Sequence, residues 1–192
     1  DSDGVILLAK SVPNNKVTDF LDWFLYSDNT IDGQSKKKAY TLFESGLLDS
    51  IEPGTVKGLQ QIHAYLFGGL YDFAGKIRTK TIAKGNTLFC LAEHLDNYLK
   101  IVEAMPETTF DEIVDKYVEM NIAHPFREGN GRSTRIWLDL IFKKRLSRCV
   151  DWSCIPKNDY LNAMVHSAVD ASVIHTLLRN ALTDKTDDRE LF

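Results

Sequence analysis

An all-α fold, a helical bundle carrying one β-hairpin, is what this sequence predicts. Apolar residues recur at helical spacing along most of the chain, as with Val56, Leu59, Ile62 and Leu66. Residues that start and stop helices punctuate those stretches. One segment, 77–90, instead has β-prone runs around Lys84-Gly85-Asn86, which reads as a hairpin turn. With 192 residues, 44% of them hydrophobic, the chain is long and apolar enough to bury one core, and its length suggests a single domain.

The elements follow in order. Thr18 is the expected cap of a short aromatic-rich helix over 20–26, and Ser35 that of a helix over 36–44 ending at Gly46. Thr55 opens a helix over 56–67 that Gly68-Gly69 stops. Two strands, 77–82 and 87–90, flank the hairpin turn, and a helix over 93–105 ends before Pro106. Thr109-Phe110-Asp111-Glu112 is a capping box, opening a helix that Pro125 stops near His124. The stretch 132–146 is apolar on almost every side, which places that helix at the centre of the bundle. Helices over 157–165 and 171–182, the last capped by Asp170, complete the domain before a polar tail.

Charge narrows the function. The net charge of −4 argues against a general nucleic-acid coat protein, whose footprint is basic, and no nucleic-acid binding is required. No apolar run approaches the ~18 residues of a membrane span. Positive charge is instead local: residues 124–148 hold seven basic side chains against the acids Glu128 and Asp139, a site suited to a small anion. The cysteines Cys90, Cys149 and Cys154 are odd in number and lack a C-x-x-C spacing. They read as reduced thiols of a cytoplasmic protein, Cys149 and Cys154 as buried free thiols rather than a metal site.

The loop between the two central helices, His124-Pro125-Phe126-Arg127-Glu128-Gly129-Asn130-Gly131-Arg132-Ser133-Thr134-Arg135, concentrates the chemistry. Two glycines around an asparagine let successive backbone N–H groups curl toward one point, and the helix that starts there adds its unpaired donors and positive dipole end. Arg132 and Arg135, three apart, project from one side of its first turn, with donors matched to phosphate oxygens. Glu128 would oppose an anion on its own but makes sense as a ligand of Mg²⁺ bridging phosphates. His124 is placed to take a proton from a hydroxyl. Each part has a bland alternative: a plain helix-linking turn, surface salt bridges, a helix-end histidine. Phe126 anchors the loop under either reading. The conjunction of all these within twelve residues favours a catalytic site.

That stretch matches, at every defined position, the signature H-x-F-x-[D/E]-G-N-G-R-x-x-R, and the chain resembles the Fic family. Gly68-Gly69-Leu70-Tyr71-Asp72-Phe73-Ala74-Gly75 with Ile77-Arg78 is similar to the segment before that family's flap. The resemblance covers about 35–183, leaving 1–34 as an extension of unknown role and 184–192 as a tail. It implies a helical bundle with one β-hairpin flap, and transfer of AMP from ATP to a Tyr, Thr or Ser hydroxyl of a target protein, the protein itself included. By position, His124 would be the general base and Glu128 the Mg²⁺ ligand. The backbone of Gly129 and Gly131 and the Asn130 side chain would hold the α- and β-phosphates. Arg132 would neutralise the leaving pyrophosphate, and Arg135 would reach the γ-phosphate. The flap, with Thr79, Lys80, Thr81, Gly85, Asn86, Thr87, Leu88 and Phe89, would dock an extended target segment by backbone pairing.

Such enzymes are commonly held off by a helix bearing [S/T]-x-x-x-E-[G/N], whose glutamate pairs with the second arginine. Here the only Glu followed by Gly or Asn is Glu128, inside the loop itself. The inhibitory carboxylate is therefore expected either in cis beyond residue 192, to which 182–192 would be the lead-in, or in trans from an antitoxin. Other readings share parts of this pattern. A Doc-like kinase shares the fold, but it typically carries Lys where this chain has Gly131. A transferase of another nucleotide fits a motif that reads only phosphates. A catalytically silent binding module would tolerate decay of the motif, and none is visible. A homo-oligomer is compatible with all of these.

Overall fold

Thr30 opens the first helix, α1 (Ile31–Glu44), its hydroxyl accepting from the Gly33 N–H and satisfying one of the donors that a helix start leaves unpaired. The computed structural model describes residues 29–85 and 87–186, so the helix expected over 20–26 and its cap Thr18 lie outside the described residues, as does Asn86. Ser35, the expected cap, sits inside α1, where its hydroxyl donates to the Asp32 carbonyl. Gly46, at φ 69°, turns the chain into a short 3-10 segment, Leu47–Ser50. Thr55 caps α2 (Val56–Phe67) through the Gly58 N–H, and Gly68 closes it, as the sequence predicts.

The hairpin pairs β1 (Ala83–Lys84) with β2 (Thr87–Leu88) in antiparallel register, Ala83 opposite Leu88 and Lys84 opposite Thr87. The first strand expected over 77–82 is absent. In that segment the Arg78 N–H bonds the Pro125 carbonyl and the Lys80 carbonyl accepts from the Arg78 side chain, so these groups have no place in a ladder. Next come α3 (Ala92–Ala104) and α4 (Phe110–Ala123), the latter opened by the full reciprocal box: Thr109 accepts from the Glu112 N–H and Glu112 from the Thr109 N–H.

The long helix α5 (Asn130–Leu146) packs against both α4 and α2, and its Trp137, Leu138, Ile141 and Phe142 are fully buried. This is the central position that its all-round apolar pattern predicts. Beyond it, β3 (Cys149–Val150) pairs with β4 (Leu182–Thr183), and between them lie α6 (Lys157–His166) and α7 (Ser172–Asn180). This second strand pair is additional to the single hairpin expected. It stops α7 short of residue 182, because Leu182 and Thr183 extend to meet Cys149 and Val150. Cys149 is buried as expected, Cys90 is half-buried, and Cys154 is exposed, which corrects the expectation of a buried thiol there.

One carboxylate holds α5 to this last layer. Buried Asp139 accepts from the Val150 N–H at 2.9 Å and from the Trp152 indole at 2.7 Å. Burial pushes its carboxyl up from the ordinary 3.8 to about 7, against the lowering effect of those two donors and of Arg135. The folded chain therefore binds more protons at this site than the unfolded chain between those values, and the stability that Asp139 contributes is present below about 4 and lost as pH rises through about 7. Asp139→Ala should leave the buried Val150 N–H unpaired, cost roughly 1–3 kcal/mol, and flatten that pH dependence. Urea unfolding from pH 4 to 8 measures both effects.

Candidate active site

The loop between α4 and α5 is built from its own side chains. Pro125 excludes helical geometry at residue 124, and His124 adopts φ 47°, its N–H still bonding the Met120 carbonyl. The Asn130 side chain closes the loop: Oδ1 accepts from the Phe126 N–H and Nδ2 donates to the Phe126 carbonyl, both at 2.8 Å. Its amide, expected at the phosphates, is thus committed to the loop backbone, in a side chain only 3% exposed. Phe126 is fully buried and stacks on His63, ring centroids 3.8 Å apart. His63 Nδ1 accepts from the Gly75 N–H and Nε2 donates to the Glu128 carbonyl, fixing one neutral tautomer; burial also holds its pKa below the ordinary value.

The two glycines serve different needs. Gly129 has φ 80°, and a Cβ there would come within 2.3 Å of the Phe67 ring. A Cβ on Gly131 would meet nothing within 4 Å, so the fold leaves open space there for whatever approaches the start of α5. No side chain caps α5 at Gly129, which leaves its first-turn N–H groups to an incoming anion. Glu128, Gly129, Gly131, Arg132 and Arg135 line one cleft of about 620 Å³ with Asp32 and Ser35 of α1 and with Trp152 and Tyr160. Arg135 sits over both rings, its guanidinium carbon 5.4 Å from the Trp152 centroid and 5.8 Å from that of Tyr160. Since Asp139 holds the Trp152 indole, a buried carboxylate one turn along α5 fixes the ring beneath Arg135.

Arg78 joins this loop to the flap. Its guanidinium donates to the carbonyls of His124 (2.8 Å), Lys80 (2.7 Å), Cys90 (2.5 Å) and Ala123 (3.0 Å). Thr79, Lys80 and Thr81 lie on the exposed run into β1, and the Thr81 hydroxyl accepts from the Ala92 N–H at the start of α3. Gly85 makes the turn at φ 57°, Thr87 and Leu88 form β2, and Leu88 is 64% exposed. Phe89 turns the other way and stacks on the His124 ring at 3.7 Å. Nothing in the sequence singles out His63, Asp32, Trp152 or Tyr160 for this site; Asp139 figures there only as an acid in the basic window, and Arg78 only in the segment before the flap. Their roles arise from contacts remote in sequence, and no local spacing marks them.

The setting of His124 leaves one ring nitrogen able to accept a proton. Its Nδ1 lies 3.2 Å from the Asn121 carbonyl, which can only accept, so Nδ1 carries the proton and Nε2 keeps its lone pair. Burial, reinforced by the positive charges of Arg78 and Lys84, lowers its pKa to about 4 despite the Asn121 bond. The ring is therefore neutral at every pH well above that. An NMR titration of the His124 ring protons in the ligand-free protein should give a midpoint near 4, and one near the ordinary 6.5 would mean that the ring is not held in this setting.

Among the described residues no three His, Cys, Asp or Glu side chains cluster as a metal cage. Glu128 offers one exposed carboxylate to the cleft, a donor set that fits Mg²⁺ arriving with phosphate oxygens and water better than a resident ion.

The Fic/DOC family profile matches residues 53–142. The chain is 28% identical over 147 residues to the protein adenylyltransferase VbhT of Bartonella schoenbuchensis, aligning 69% of this chain but only 30% of VbhT. It is 26% identical to the probable protein adenylyltransferase Fic of Salmonella typhimurium, over 79% of this chain and 84% of that protein. Among solved structures, the Fic domain of Bep8 from Bartonella sp. 1-1C superposes with a TM-score of 0.69 at 15% identity, over 81% and 84% of the two chains. BepC of Bartonella tribocorum, solved with AMPPNP bound, gives 0.64 at 18% identity, over 80% and 84%. The profile match spans the loop 124–135 and the helices that flank it, and by profile, relatives and fold alike the chain is similar to Fic proteins.

Proposed function

We propose that this chain is a protein adenylyltransferase, moving AMP from ATP to a Tyr, Thr or Ser hydroxyl of a target protein. The observation that carries the proposal is the pairing of a neutral histidine, its Nε2 lone pair free, with an uncapped helix start and two arginines at the other end of one braced loop. The relatives named as adenylyltransferases and the AMPPNP-bound BepC support the choice of nucleotide.

In this mechanism the first-turn N–H groups of α5 hold the α- and β-phosphates, and open space at Gly131 admits them. Glu128 would hold Mg²⁺, which neutralises charge across those phosphates when bound. His124 Nε2 takes the hydroxyl proton as that oxygen bonds the α-phosphorus. The bond from the α-phosphorus to the oxygen bridging to the β-phosphate breaks, and pyrophosphate leaves with its growing charge facing Arg132. Arg135, held over Trp152 and Tyr160, takes the γ-phosphate. Among the described residues it makes no ion pair, so it is open to that phosphate or to an inhibitory carboxylate supplied in cis or in trans. The exposed β2 edge and Leu88 would receive the target segment, while Phe89 holds the base.

Intact-mass measurement of candidate targets, and of the protein itself, after incubation with ATP and Mg²⁺ tests the proposal. A gain of one AMP is expected, and a gain of one phosphate would establish the kinase reading instead. His124→Asn keeps a residue that tolerates positive φ while removing the base, so transfer should fall by roughly 10²–10⁴-fold with ATP binding retained. Glu128→Ala should weaken ATP binding in calorimetry only when Mg²⁺ is present, and an equal loss without Mg²⁺ would make its role structural.

A further inference from the structure

The first turn of α1 reaches the cleft from 100 residues away in sequence. Asp32 Oδ1 lies 2.5 Å from Arg132 Nη2, and the buried Ser35 hydroxyl accepts from Arg132 Nη1. Asp32 Oδ2 takes the Lys36 ammonium at 2.6 Å. Both terminal nitrogens of Arg132 are thus anchored to one helix turn, in a side chain that is itself 19% exposed.

We propose that Asp32 and Ser35 are positioning residues for Arg132, fixing the plane of its guanidinium so that its remaining donors face the phosphates. This rests on the reading of the cleft as a nucleotide site. A guanidinium carries five N–H donors. Two are spent on α1, and the others, including the one on Nε, stay available to a ligand. A free arginine must lose its rotamer freedom when it meets the leaving group, whereas one anchored in advance has lost it on folding. That gain appears where charge develops, in the transition state.

The opposite role, a carboxylate that blocks Arg132, fits less well. The Asp32 side chain is 62% exposed, and a lone carboxylate in water is a weak competitor for a polyphosphate. The Ser35 hydroxyl is neutral, so it can orient a guanidinium but cannot exclude an anion. The contact is also not a pH switch: Lys36 first, then Arg132, hold the Asp32 carboxyl down to about 2, so it stays ionised through the working range.

The test compares wild type with Asp32→Asn, Ser35→Ala and the double variant. In NMR spectra of the arginine side chains, assigned with Arg132→Lys, wild type should show separate Arg132 Nη–H signals, because two anchors slow rotation about the guanidinium bonds. The double variant should show one averaged signal. This readout needs no turnover, so it decides the proposal even if wild type transfers no AMP, an outcome that would overturn the function alone. Where transfer is measured, each single substitution should lower kcat about tenfold while the KM for ATP changes by less than about twofold. Asp32→Asn should add nothing further in the Arg132→Lys background, because a residue acting only through Arg132 loses its effect when that guanidinium is gone. Unchanged Nη–H signals in the double variant, additive losses, or a faster Asp32→Asn enzyme would each overturn the proposal, the last by showing that the carboxylate obstructs the site.

Discussion

The guanidinium of Arg78, 3% exposed, gathers the carbonyls of Lys80, Cys90, Ala123 and His124, while its own N–H bonds Pro125. Those acceptors lie on the run into the hairpin, the run out of it, the last turn of α4 and His124 itself. Each carbonyl would otherwise be an unpaired acceptor near the protein interior, so one side chain meets a polar demand that regular structure leaves unmet there. The position of Phe89 over His124, and so the setting of that ring, depends on this knot.

Beside it, the loop keeps its recognition groups free by bracing itself with others. Asn130 bonds Phe126, His63 bonds the Glu128 carbonyl and stacks on Phe126, and Phe67 packs where only a glycine fits at 129. None of these contacts uses the first-turn N–H groups of α5. The donors are therefore held in place by packing and remain unpaired toward the cleft, the condition under which fixed dipoles stabilise developing charge without having to reorganise.

The arginines are supported by different means. Arg132 is tied by charge and hydroxyl to α1, whereas Arg135 lies on aromatic faces, one of them held by buried Asp139. The local excess of basic residues in an acidic chain thus resolves into guanidiniums with distinct tethers. Salt would screen the exposed Asp32 contact far more than the buried Asp139 bonds.

Much of this was legible in the chain itself. Thr55, the Thr109–Glu112 box and Pro125 act within a few residues, so the ends of α2 and α4 followed from sequence, and the apolar girth of α5 announced its central place. The loop 124–135 was readable because its glycines, arginines, acid and base are contiguous. Other features were decided only in three dimensions. The run 77–82 has strand-like composition, yet the Arg78 N–H is taken by Pro125 and the Lys80 carbonyl by the Arg78 side chain. Leu182 leaves helix α7 to pair with Val150. Asn130, expected at the phosphates, turns to Phe126, and Asp32 and Trp152 reach the cleft from distant helices and turns. Local propensity and spacing determine which residues start helices and bear charge. Which buried polar group satisfies which is settled by elements far apart in the chain, because an unpaired donor or acceptor in the interior costs more than local preference supplies.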